Sequence, residues 1–183
     1  MESLRISKRP AAEATYRPCE TPLSTFVPVQ PVVPAVNGLY PPPAGESDIL
    51  GLEVAGTVVA VADDVSPEWL EQTVFGLVPG GGYAEYTLLH KGHILQRPDG
   101  ISALQAAGTA EVFLTAYQLL CSIGNLQHGQ QVLIHAGASG VGTAAIQLAK
   151  MRGAKVAVTA SSDDKLQACG ALGADLLLNY TRC

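Results

Sequence analysis

The sequence predicts an α/β protein in which a β-rich half precedes a half with alternating strands and helices. From Ile49 onward the first half is rich in β-branched residues and glycine, which is typical of short strands. From about residue 114, short apolar runs alternate with segments whose apolar residues recur at helical spacing. The order β-α-β-α-β in this second half is that of half a doubly wound parallel sheet.

In the β-rich half, apolar runs separated by glycines, prolines and acidic residues predict four strands. They cover residues 51–61, 74–78, 83–89 and 93–96. Ser102 then has the residue type and position to cap a short helix. A longer helix over residues 110–121 leads into the second half.

The second half is organised around residues 130–151. An apolar run at 132–136 predicts a buried strand, residues 137–142 hold three glycines, and a helix follows that stops at Gly153. A strand that turns through glycines into a helix directs free N–H groups and the positive helix end at one point, which suits a phosphate. Ser139 stands at the middle position of the dinucleotide fingerprint, where a glycine is usual, so a turn without a ligand remains an alternative.

The next elements continue in the same order. Lys155–Ala160 reads as a second strand, residues 163–172 as a helix and residues 174–180 as a third strand. Enzymes that use NAD usually place an acid after the second strand, against the ribose 2′-hydroxyl. Here Ser161 follows, with Lys165 one turn later, and both suit a 2′-phosphate. We interpret Asp163 and Asp164 as solvated acids of the first helical turn, and the pattern favours NADP(H) over NAD(H).

Composition restricts the function classes. The chain has 183 residues, of which 48% are hydrophobic and 15% charged, and a net charge of −5. The absence of a basic block argues against nucleic acid or an anionic membrane as a partner, and no apolar run in the sequence reaches the length of a membrane span. The four cysteines are scattered without metal spacing, which favours free thiols and a cytoplasmic location.

Residues 1–36 differ from the rest of the sequence. Nine of the twelve prolines lie within the first 43 positions, and apolar periodicity is absent there. We expect this segment to be an extended, disordered arm. Its basic residues leave a mitochondrial transit peptide as an alternative, although its glutamates and prolines argue against an amphipathic helix.

Several motifs in one order resemble the medium-chain dehydrogenase/reductase superfamily. They are LYPPP at 39–43, ILGLEVAG at 49–56, GGGYAEY at 80–86, RPDGIS at 97–102, LTAYQLL at 114–120, VLIHAGASGVGTAAIQLAK at 132–150, KLQACGALGAD at 165–175 and NY at 179–180. Within it the chain is similar to the zinc-free quinone oxidoreductases related to zeta-crystallin, most closely the tumour-suppressor-inducible group. The resemblance implies a partial GroES-like barrel domain at 37–113 and the first half of a Rossmann domain at 114–183.

The resemblance also implies a reaction, hydride transfer from NADPH to a quinone, and a set of residues. The pyrophosphate would lie against Gly137, Ala138, Ser139, Gly140, Val141 and Gly142. Ser161, Lys165 and Tyr180 would surround the 2′-phosphate, Thr115 would lie near the nicotinamide, and Tyr40 would stand at the mouth of the substrate cleft. The family needs no general-acid side chain in this reaction.

No metal is expected, because Leu52-Glu53 stands where zinc-dependent relatives have His-Glu. The pair His90 and His93 is interpreted as solvated, and His135 as a hydrogen-bonded core residue. Glu53 and Glu111 lie in apolar surroundings, so we expect buried carboxyl groups with structural hydrogen bonds and altered pKa values.

The chain departs from the family in length, since family members are nearly twice as long. The matching part ends after the third Rossmann strand, so we expect a three-stranded sheet with an exposed apolar edge and face. The family homodimer is therefore doubtful. Two hypotheses remain open: an NADPH-dependent quinone reductase, or an inactive truncated or spliced form that at most binds nucleotide or a partner.

Overall fold

The computed structural model describes residues 3–7 and 47–182. It divides into two compact units, Met1–Glu111 and Val112–Cys183. Each unit is described by itself below. The predicted α/β fold class is confirmed.

The first unit contains an antiparallel sheet with the strand order β4-β1-β2-β3-β5. Its strands are β1 (Ser3–Ser7), β2 (Glu53–Val61), β3 (Thr73–Leu77), β4 (Tyr86–His90) and β5 (Leu95–Gln96). Short 3₁₀ helices at Pro67–Trp69 and Lys91–His93 connect them. Val54, Val58, Val74 and Leu89 form a small core on one face of the sheet. On the other face, Ala55 and Phe75 pack against Ala106 and Ala107 of the helix that follows the sheet.

Strand β1 contradicts the expectation of an unstructured arm for the five residues it contains. Ser3–Ser7 pairs antiparallel with both β2 and β4, with Leu4 opposite Val61 and Leu89. Proline cannot donate to a ladder, but this run precedes the first proline at position 10. The remainder of the 1–36 arm lies outside the described residues.

Two helices follow the sheet. Helix α1 (Ala103–Ala107) begins as expected at Ser102, whose hydroxyl accepts from Gln105 N while the Gln105 side chain accepts from Ser102 N. Helix α2 (Ala110–Tyr117) does not continue as one α-helix to residue 121. Its last turns are a π-helix, Gln118–Ile123, in which Gly124 N donates to Leu119 O.

The second unit is a parallel sheet with the order β6-β7-β8. Its elements are β6 (Gln131–Ile134), α3 (Gly140–Met151), β7 (Lys155–Ala160), α4 (Asp163–Ala171) and β8 (Leu176–Asn179). The predicted β-α-β-α-β order is confirmed. Ile134, Val156 and Val158 are buried together with Ile146 and Cys169 from the two helices, and burial of each large aliphatic side chain contributes about 1.5–3 kcal/mol.

Candidate functional site

The connection between β6 and α3 is a tight turn held by hydrogen bonds. Gly137 N donates to Thr159 O at 2.9 Å, which extends the β6–β7 ladder by one bond. Ser139 caps α3: its hydroxyl accepts from Gly142 N at 3.0 Å and its carbonyl from Thr143 N at 2.8 Å. Ser139 therefore fixes the start of α3 at the position where the fingerprint usually has glycine.

Two glycines of this turn are required by close packing. A Cβ atom at Gly142 would lie 2.5 Å from Ala136 O and 2.6 Å from Gly137 O, both backbone atoms that cannot move aside. A Cβ atom at Gly137 would lie 2.8 Å from Val158 Cβ on β7. The outer glycines of the predicted fingerprint thus let helix and strand approach each other.

The turn presents unsatisfied donors. Within the described part of the chain, the backbone N–H groups of Ala138, Gly140 and Val141 make no hydrogen bond. The first two residues of α3 lie where the helix dipole places about half a positive charge. This arrangement suits an anion with several oxygen acceptors.

The predicted 2′-phosphate residues lie where β7 and β8 end. Lys165 Nζ donates to Ser161 Oγ at 3.2 Å, so these two side chains are brought together directly after β7. Tyr180 N donates to Ala160 O at 3.3 Å, which places Tyr180 beside the same strand end with its side chain exposed. The carboxyl ends of neighbouring parallel strands meet at one edge of the sheet, where such folds bind ligands.

Asp163 is exposed, as expected for an acid of the first helical turn, and its carboxylate is in addition engaged by two partners. Asn179 Nδ2 donates to Asp163 Oδ1 at 2.8 Å, and Arg182 Nη2 lies 2.7 Å from Asp163 Oδ2. The hydrogen bond from Asn179, followed by the charge and hydrogen bond of Arg182, lowers the pKa of the Asp163 carboxyl. Asn179 and Arg182 were not among the predicted site residues, because they are 16 and 19 positions away in sequence.

Three other predicted residues have different outcomes. His135 is exposed rather than in the core. It follows the buried Ile134, so its side chain points to the opposite side of the strand. Its Nδ1 lies 3.1 Å from Thr159 Oγ1, so the expected hydrogen bond is present. Thr115 is half-buried on α2, and its role near the nicotinamide stays a prediction. Tyr40 lies outside the described residues.

In the first unit, Glu53 is buried as expected, with 6% of its surface exposed. Its Oε2 accepts from Glu111 N at 3.1 Å, while Oε1 has no hydrogen-bond partner among the described residues. Burial raises the pKa of the Glu53 carboxyl to about 7. Burial, and then the nearby Glu53 charge, raise the pKa of the Tyr83 hydroxyl to about 12.

Within residues 3–7 and 47–182, no cluster of three His, Cys, Asp or Glu side chains has the arrangement of a metal site. None of the helices in this part of the chain has both the length and the apolar character that a membrane crossing requires.

A family model described as "Zinc-binding dehydrogenase" matches residues 140–183. Among curated proteins, the phenolphthiocerol synthesis polyketide synthase type I Pks15/1 of Mycobacterium marinum is 41% identical over 140 residues. That match covers 75% of this chain and 6% of the synthase, so the chain spans a small part of the curated relative.

Among solved structures, the Escherichia coli quinone oxidoreductase complexed with NADPH has a TM-score of 0.80 and 27% identity. The match covers 99% of this chain and 51% of that one. The CurK enoyl reductase has a TM-score of 0.68 and 34% identity over 72% of this chain and 39% of its own. With the glycine turn, its helix cap and the parallel sheet, these likenesses place the chain in the medium-chain dehydrogenase/reductase superfamily.

Proposed function

We propose that the second unit binds NADPH and that the protein serves an NADPH-dependent oxidoreductase reaction, with a quinone as acceptor. The observation that carries the proposal is the set of N–H groups at Ala138, Gly140 and Val141, which have no hydrogen-bond partner among the described residues and lie at the same sheet edge as the Ser161–Lys165 pair. The turn would hold the pyrophosphate, and Ser161, Lys165 and Tyr180 would hold the 2′-phosphate. When bound, the reduced nicotinamide supplies the hydride.

Two acceptor classes fit the relatives. A quinone is the substrate named for the structural neighbour from E. coli, and an enoyl group is the substrate class named for CurK. Both are electron-poor conjugated acceptors that take up a hydride. Purified protein should therefore be assayed for NADPH oxidation with 1,2-naphthoquinone and with a crotonyl thioester in parallel. Faster turnover of the quinone supports this proposal, and faster turnover of the thioester contradicts the quinone assignment.

A second candidate function is nucleotide binding without hydride transfer by these 183 residues. The observation that favours it is the extent of the match, since the chain corresponds to 51% of the E. coli enzyme. The predicted phosphate-binding residues lie within this matched part. Calorimetric NADPH binding without turnover of either acceptor supports this second function. Turnover excludes it.

Lys165→Met tests the 2′-phosphate assignment. Loss of one cation beside a doubly charged phosphate should weaken NADPH binding about tenfold and leave NADH binding nearly unchanged, as measured by calorimetry. Lys155→Met is the matched control, because Lys155 is an exposed lysine at the opposite, amino end of β7. Equal losses for NADPH and NADH in the Lys165 variant would contradict the assignment.

A further inference from the structure

Asp163 occupies the first position of α4, directly after the serine pair that follows β7. In enzymes that use NAD, an acid near this strand end accepts a hydrogen bond from the ribose 2′-hydroxyl. A free carboxylate here would also repel a 2′-phosphate at Lys165, two residues further on. Asp163 therefore has the residue type and approximate location of an NAD-selecting acid in a chain whose other residues suit NADP.

Both carboxylate oxygens of Asp163 are directed toward the end of β8. Oδ1 accepts from Asn179 Nδ2 at 2.8 Å, and Oδ2 pairs with Arg182 Nη2 at 2.7 Å. The pair is exposed, so its contribution to stability is small. The ion pair nevertheless affects the position of the carboxylate, because Asn179 and Arg182 together restrict the direction in which the Asp163 side chain points.

Asn179 is itself oriented by the chain that follows it. Its Oδ1 accepts from Thr181 N at 3.1 Å and from Thr181 Oγ1 at 2.7 Å. With the carbonyl side of the amide used in this way, the NH₂ side is presented to Asp163. The partner of Lys165 lies at the end of β7 rather than β8, because Lys165 Nζ donates to Ser161 Oγ at 3.2 Å.

We propose that Asn179 and Arg182 are specificity-determining residues that hold the Asp163 carboxylate at the end of β8. In that position Asp163 neither accepts a ribose 2′-hydroxyl nor repels a 2′-phosphate at the Ser161–Lys165 pair. The proposal rests on the proposed function, because it assigns nucleotide selectivity within the same site. Asn179 and Arg182 would thus act on selectivity through Asp163, without contacting the 2′-phosphate themselves.

The test uses 2′,5′-ADP and 5′-AMP as probes, which differ only in the 2′-phosphate, with the full 183-residue chain in a calorimeter. Arg182→Met should weaken 2′,5′-ADP binding about tenfold and leave 5′-AMP binding within about twofold. Adding Asp163→Asn to Arg182→Met should restore 2′,5′-ADP binding, because the released carboxylate is then absent. Asn179→Ala should shift the ratio of the two affinities in the same direction as Arg182→Met.

Lys150→Met is the matched control. It breaks an ion pair of similar length whose side chains are less exposed, Lys150–Asp175 at 2.8 Å, which lies where α3 ends and just before β8 begins. It should leave both affinities unchanged, and circular dichroism checks that each variant is folded.

The outcomes separate the possibilities. If Asp163→Asn fails to restore binding, Arg182 contacts the phosphate directly and the proposal is overturned. Unchanged affinities in Arg182→Met and Asn179→Ala also overturn it while leaving the proposed function standing. A wild-type chain that binds 2′,5′-ADP no more tightly than 5′-AMP overturns both.

Discussion

Glu53 joins the start of β2 to the first turn of α2 through one carboxylate–amide hydrogen bond. A carboxylate that accepts from a first-turn N–H stabilises a helix start, but its burial disfavours the charged form. Burial is the larger effect here, since the pKa of Glu53 is raised to about 7. Among the described residues, Glu111 and Tyr83 face this carboxyl, and neither carries a positive charge to offset its burial.

This raised pKa predicts a pH dependence of stability. Between the unfolded pKa of 4.5 and the folded value of about 7, the folded state holds a proton that the unfolded state has released. The free energy of unfolding should therefore fall as pH rises through this window, by about 3 kcal/mol in total. Glu53→Gln should remove this dependence, so thermal unfolding at pH 5 and pH 8 should differ less in the variant than in the wild type.

Glu68→Gln serves as the control for Glu53→Gln, because Glu68 is an exposed acid of the same unit. It should retain the wild-type pH dependence. Asp163 and Asp175 have lowered pKa values, so their stabilisation is lost only at more acidic pH, below the Glu53 window. A Glu53→Gln profile that follows the wild type would show that another group titrates.

At the scale of elements, the close packing of β6, the turn and α3 requires glycine at Gly137 and Gly142, because a Cβ atom at either position would overlap neighbouring atoms. Gly142→Ala places a methyl group against the backbone oxygens of Ala136 and Gly137. We expect the free energy of unfolding to fall by about 1–3 kcal/mol. NADPH affinity should fall too, because the turn must open to admit the methyl group. Thermal unfolding and calorimetry measure the two effects.

Gly170→Ala is the matched substitution in α4. Its Cβ atom would lie 3.4 Å from Leu177 Cδ1, an ordinary contact, and alanine raises helix stability by up to about 1 kcal/mol. It should be neutral or stabilising and leave NADPH affinity unchanged. If both alanine variants behave alike, close packing at Gly142 is not the reason for its glycine.

At the scale of the molecule, the second unit has one covered and one exposed sheet face. Helices α3 and α4 pack against Ile134, Val156 and Val158. Register places Leu133, Ala157 and Leu176 side by side on the opposite face, where Leu133 is 52% and Leu176 53% exposed. The expected apolar face is thus present, and exposed contiguous apolar surface favours association.

We therefore predict concentration-dependent self-association of the purified chain. Leu133→Lys combined with Leu176→Lys should abolish it in sedimentation experiments without lowering the unfolding temperature, because neither side chain is buried. Leu104→Lys, at a leucine 54% exposed on α1, should leave association unchanged. Wild-type protein that stays monomeric at its highest soluble concentration would rule out this prediction.

Much of the candidate site could be predicted from local sequence. The turn between β6 and α3 is determined by contacts close in sequence, many of them made by Gly137, Ser139 and Gly142 within residues 136–143. The spacing of these residues was therefore sufficient to predict a strand, a turn and a capped helix. The contact of Lys165 with Ser161 is also local, since the two residues are only four positions apart in the sequence. Strand and helix periodicity likewise predicted the order of elements in the second unit.

Features whose physical cause lies within a few residues follow from the amino-acid sequence alone; these are glycine conformation, helix capping and apolar periodicity. Features that depend on distant partners become known only from the folded chain. Strand β1 is ordered by pairing with strands some 50 and 80 residues away, and Glu53 meets the Glu111 amide 58 positions along the chain. Asp163 is tethered by β8, and His135 is exposed because the helices cover the other side of its strand. Hydrogen bonds and burial depend on distance in space, and a local pattern does not contain that distance.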